Sequence, residues 1–81
     1  VHGWACSAYA WRRNLGPVAA GGYRAVAPDL RGHGWSDKPL DDPARYGAVA
    51  LAAQLAAVLD ALDVGRALVV GHSMGAAVAL R

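Results

Sequence analysis

The sequence predicts an α/β protein built on a mostly parallel sheet, and three observations predict it. Short apolar runs alternate with longer helical patterns, the order expected of βαβ units. One run, Ala67-Leu68-Val69-Val70, is apolar throughout and contains β-branched residues, as a strand covered on both faces should be. It leads through Gly71-His72-Ser73-Met74-Gly75 into a small-residue helical pattern, so a sharp turn joins a buried strand to a helix.

Taken in order, Ala8 to Ala20 reads as helical, broken or restarted at Gly16-Pro17, where proline suits a first helical position. Gly21-Gly22 stops it. Tyr23 to Ala27 is a short strand ended by Pro28, and Asp29 to Pro43 has the Gly, Asp and Pro content of a loop. From about Gly47 the pattern is helical again: Leu51, Leu55, Val58, Leu59 and Leu62 form one apolar stripe. Gly65 stands where a left-handed C-terminal cap is wanted. Ala67 to Val70 is the second strand, and Met74 to Arg81 the last helix.

The 81 residues begin with Val and stop at Arg81 inside a helical pattern, which reads as part of a larger domain. The apolar fraction, 56%, is high for so short a chain, and alanine supplies much of it, so little area is buried per residue. A single cysteine, Cys6, excludes an internal disulfide framework, and no Cys/His spacing suits zinc; neither metal nor cofactor is expected. Net charge is +2, with the basic residues scattered from Arg12 to Arg81, so no basic stripe supports nucleic-acid binding. Ala48 to Leu62, interrupted by Gln54 and Asp60, is too short and too polar to span a bilayer. The Ala-, Gly- and Arg-rich composition is read as that of a bacterial cytoplasmic protein. Oligomeric state is left open.

Ser73 is the candidate nucleophile. A serine at the tip of a strand-to-helix turn is held in strained backbone geometry, and strain of this kind needs room around it. Gly71 and Gly75 flank it closely, and a β-carbon at either would collide with the turn. Ala76 and Ala77 let the following helix pack close to the sheet. The Met74 N–H then faces any oxygen bonded at the serine, in the field of a helix N-terminus. His72 is rejected as the base, because neighbours on a tight turn point in different directions.

These segments together resemble the α/β-hydrolase superfamily over nearly the whole chain. His2-Gly3-Trp4 looks like the His-Gly-x motif after the third strand, Tyr23 to Asp29 like the fourth strand, Asp29 to Pro39 like the loop after it, and Gly71 to Gly75 like the nucleophile elbow after the fifth. The resemblance implies one partial domain over residues 1–81, in which the third strand, represented by Val1, lies between the fourth and fifth. It implies an oxyanion hole formed by the backbone N–H groups of Trp4 and Met74. It places the acid and the histidine of the triad beyond Arg81, in the order Ser, Asp or Glu, His. The 81 residues alone are therefore expected to be neither a stable monomer nor active.

Tyr9-Ala10-Trp11-Arg12 and Ser36-Asp37-Lys38-Pro39 also look like the epoxide-hydrolase and haloalkane-dehalogenase branch. That branch attacks with an aspartate at the elbow, through an alkyl ester. Serine at position 73 argues instead for acyl chemistry on a small-molecule substrate: an esterase- or lipase-like hydrolase, with an acyltransferase or cofactor-free perhydrolase on the same machinery, or a non-catalytic binding protein, as the alternatives. His33, Asp29 and Asp37 are read as loop structure, with Asp29 and Arg31 paired with each other or with other loop groups. Asp60 and Asp63 are read as solvated, His2 as a turn cap in preference to a substrate contact, and Cys6 as incidental.

Overall fold

Three α-helices carry the regular structure of residues 1–81 in the computed structural model: α1 (Leu15–Ala20), α2 (Ala48–Ala61) and α3 (Met74–Ala79). Short 3-10 turns at Ala8–Trp11 and Pro43–Tyr46 precede α1 and α2. Ser7 and Asp42 cap those turns, their side-chain oxygens accepting from the N–H groups of Tyr9 and Ala44. The helical stretch from Ala8 to Ala20 is divided, but at residues 12–14 and not at Gly16-Pro17. Both of those residues lie inside the first turn of α1, where the N–H that proline lacks has no intrahelical carbonyl to meet.

Helix α2 follows its apolar stripe. Leu51 is buried, and Leu55, Val58 and Leu59 are half-buried on the same side. Its end differs from the expectation. Asp63, not Gly65, takes the left-handed conformation, at φ 57°. The Val64 N–H donates to the Leu59 carbonyl at 2.9 Å and the Asp63 N–H to the Asp60 carbonyl at 3.0 Å, the two bonds of a Schellman cap. Helix α3 stops at Ala79, short of Arg81.

Neither expected strand, Tyr23 to Ala27 or Ala67 to Val70, forms one; the structure contains no strand, and the mostly parallel sheet is not built within these residues. The physical reason is pairing. Residues 23–27 make no backbone hydrogen bond to another segment, and a strand exists only through its ladder. The two runs instead line a cleft of about 1030 Å³, with Val1 also at its wall. Val1 makes the single pairing point: its N–H donates to the Val70 carbonyl at 2.5 Å, and its carbonyl accepts the His72 N–H at 3.0 Å. That alternation, one residue bonded to both neighbours of Gly71, is the pattern of a parallel pair.

The core is small. Leu30, Leu51 and Val78 are each 1% exposed, with Val1, Ala52, Leu55 and Met74 packed against them. It lies where α2 meets α3, with Met74, the residue after Ser73, packed against it.

Candidate active site

Ser73 precedes α3 at φ 53°, ψ −119°, a conformation costly for any residue with a β-carbon. The surrounding backbone holds it there. The Gly75 N–H donates to the His72 carbonyl and the Ala76 N–H to the Ser73 carbonyl, each at 2.9 Å. Close approach explains both glycines: a β-carbon on Gly71 would lie 2.5 Å from the Ala76 Cα, and one on Gly75 would overlap the Val1 and His2 carbonyl oxygens. The turn is thereby pressed against the first residues of the chain.

The segment His2-Gly3-Trp4 runs beside the serine. A β-carbon on Gly3 would stand 3.3 Å from the Ser73 Cβ and 3.2 Å from the His72 Nδ1. The Gly3 carbonyl accepts the Cys6 N–H at 3.2 Å, closing a turn in which Ala5 has φ 58°. Neither the Trp4 N–H nor the Met74 N–H donates to any acceptor in the protein. The Trp4 ring is 75% exposed, and the Cys6 thiol is also exposed.

The loop from Asp29 to Pro39 is organised around one carboxylate. Asp29 accepts the Ala8 N–H on Oδ1 at 2.7 Å and the Trp35 N–H on Oδ2 at 2.9 Å, while its carbonyl accepts the Ser36 hydroxyl at 2.6 Å. The Ala8 amide, then the Trp35 amide, hold its carboxyl below the usual carboxylate range. Of the two alternatives the sequence offers, Asp29 bonds other loop groups, and Arg31 does not pair with it. Its guanidinium donates to the Arg45 carbonyl at 3.1 Å, and its N–H to the Gln54 Oε1 at 2.8 Å, tying the loop to α2. His33 Nδ1 bonds the Arg31 carbonyl at 3.0 Å.

The sequence offers His2 two roles, capping a turn ahead of contacting a substrate, and names no partner for it. His2 is fully buried, and its ring reaches both the Gly3 carbonyl and the Leu30 N–H. No periodicity or spacing signals such a contact, because Leu30 is 28 residues away. No side chain of His, Asp or Glu hydrogen-bonds Ser73, and no group of three or more His, Cys, Asp or Glu side chains converges on a metal-sized site. No helix is long and apolar enough to cross a membrane.

The chain is similar to several enzymes along most of its length. It is 43% identical to an epoxide hydrolase of Caballeronia sordidicola over 75 residues, covering 93% of this chain and 22% of that protein. It is 42% identical to epoxide hydrolase A of Mycobacterium tuberculosis over 78 residues, covering 96% and 24%. A non-heme chloroperoxidase of Streptomyces lividans is 40% identical over 74 residues, covering 91% and 26%. The chain thus spans about a quarter of the length of these relatives. The model of the α/β hydrolase fold family matches residues 1–81 from end to end, and the chain belongs to that family.

Proposed function

We propose that Ser73 is the nucleophile of a serine hydrolase that acts on a small-molecule ester or related acyl substrate. The observation that carries this reading is the strained backbone of Ser73, set between two glycines that admit no β-carbon. Strain of this kind persists only where the surroundings over-determine it, and it concentrates at reacting groups. The free N–H groups of Trp4 and Met74, on the two segments that meet at Ser73, are suited to hold a developing oxyanion. In this scheme the Ser73 oxygen attacks a carbonyl, its proton passes to a histidine outside these residues, and the tetrahedral oxyanion collapses with loss of the alcohol. Water then releases the acyl group from Ser73. An acceptor other than water, such as an alcohol, thiol or peroxide, would make the same machinery a transferase or perhydrolase.

A second reading, epoxide opening, is favoured by the names of several similar proteins. The chemistry of position 73 weighs against it. Attack by a carboxylate on an epoxide carbon gives an ester, whose carbonyl water can attack. Attack by the Ser73 hydroxyl would give an ether, which offers water no such carbon, and turnover would stop after one event. The test is labelling of the full-length protein by a fluorophosphonate, together with turnover of p-nitrophenyl acetate and styrene oxide. Labelling and ester turnover that both vanish in Ser73→Ala are expected. Persistent labelling, or epoxide turnover unchanged in Ser73→Ala, would show that the reacting group lies elsewhere.

A further inference from the structure

His2 is the only polar or charged residue in the protein that is buried, with no exposed surface at all. Both ring nitrogens are engaged, in opposite senses. The Leu30 N–H donates to Nε2 at 3.0 Å, so Nε2 carries no proton. The neutral ring then carries its proton on Nδ1, which donates to the Gly3 carbonyl at 2.7 Å. The His33 ring, tilted by 58° with its centroid 4.9 Å away, closes one side of the imidazole.

The Gly3 carbonyl is therefore held twice, by the His2 ring and by the Cys6 N–H. The peptide joining Gly3 to Trp4 is a rigid plane whose C=O and N–H point in opposite directions. Fixing the carbonyl fixes the direction of the Trp4 N–H, which itself has no partner. A β-carbon on Gly3 would stand 3.3 Å from the Ser73 Cβ, so the Gly3–Trp4 peptide and its N–H lie beside the serine.

We infer that His2, as the Nδ1–H tautomer, is a positioning residue that aims the Trp4 N–H at the oxyanion formed on Ser73. This inference rests on the proposed role of Ser73. It predicts that one ring nitrogen matters to the reaction and the other chiefly to folding. Asparagine places an amide N–H where Nδ1–H stands and gives up the Leu30 contact. Glutamine reaches the Nε2 position and gives up the donor to Gly3.

The experiment measures the rate constant of fluorophosphonate acylation and the reversible affinity before it, separately, in the full-length protein and in His2→Gln, His2→Asn and Ser73→Ala. Removing an oxyanion donor outright costs about 100- to 1000-fold, so a misaimed donor in His2→Gln should slow acylation about 10-fold or more. Affinity should stay within about 2-fold, because the oxyanion forms only in the reaction. His2→Asn should acylate within about 3-fold of wild type even if its thermal midpoint falls. Equal losses in the two variants, or His2→Gln at the wild-type rate, would overturn the inference. If His2→Gln does not fold, His2→Asn decides alone: a loss of about 10-fold would overturn it and a wild-type rate would support it. Labelling that survives Ser73→Ala would instead overturn the nucleophile assignment, so the two failures are told apart.

Discussion

Isolated as 81 residues, the chain should not fold cooperatively, and the surface it exposes says by how much. Its accessible surface is 5675 Å². A folded monomer of 8.3 kDa is expected to expose about 4,600 Å². The excess is about 1,100 Å², of which rather more than half is apolar on an average protein surface. At about 25 cal/mol per Å² the missing burial is worth about 15 kcal/mol. Total stability for a domain of this length is about 4–12 kcal/mol, so the deficit is as large as everything a complete domain would have. The exposed residues are those that should be covered: Leu68 is 87% exposed, Val70 64% and Tyr23 63%, all on the walls of the unfilled cleft. Circular dichroism against temperature, with sedimentation velocity to detect association, is the assay. A sloping, non-cooperative melt or self-association is expected. A sharp transition in a monomer would refute the reasoning, and hydrolysis of p-nitrophenyl acetate by the same chain would refute it for function.

Other consequences follow for the full-length protein. Asp29 has a lowered pKa, so its contribution to stability is complete above the unfolded carboxyl value of about 4 and is lost as pH falls through the lower folded value. Asp29→Asn leaves one of the Ala8 and Trp35 amides facing an NH2 group; it should cost about 1 kcal/mol at pH 7 by urea unfolding, a gap that narrows below about pH 4. Asp63 sits at φ 57° as the left-handed residue of the α2 cap, so Asp63→Gly should stabilise by about 0.5–1 kcal/mol in the same assay; a loss would mean that the aspartate side chain contributes something the cap geometry does not reveal. Ser73→Gly should likewise raise stability, by about 1 kcal/mol or more, while abolishing fluorophosphonate labelling, because glycine accepts φ 53°, ψ −119° without strain.

Local features were the legible part of the sequence. The stripe from Leu51 to Leu62 specified where α2 lies and which face it buries, because it depends only on a 3.6-residue period, although its cap falls two residues before Gly65. The Gly-His-Ser-Met-Gly turn was likewise legible, because glycine spacing reports steric room directly. Contacts between distant segments were not. The strands at Tyr23–Ala27 and Ala67–Val70 are a property of partners, and the residues between which they would pair place only Val1 beside them. The C-terminal cap of α2 went to Asp63 ahead of Gly65 because the helix ended earlier than its apolar pattern, and aspartate tolerates the left-handed region better than most residues. The role of His2 was hidden for the same reason as the strands: a ring bridging residues 3 and 30 leaves no periodic trace.

The geometry around Ser73 also couples stability to the proposed reaction through main-chain atoms alone. The Val1 and His2 carbonyls leave no room for a β-carbon at Gly75, C-terminal to the serine, and a β-carbon on Gly3 would stand 3.2–3.3 Å from His72 and Ser73. The strained residue is thus clamped by one short segment, and that segment also carries the Trp4 N–H. Loosening the clamp would relax Ser73 toward an ordinary conformation and turn the Trp4 donor away in the same motion. The strain and the donor are therefore one structural unit, maintained by packing of His2 and Gly3 rather than by any side chain that would touch substrate. Close backbone approaches thus gather at the turn of Ser73, as they also do at Gly32 and Gly34 in the Asp29 loop, while the apolar core holds only three buried residues.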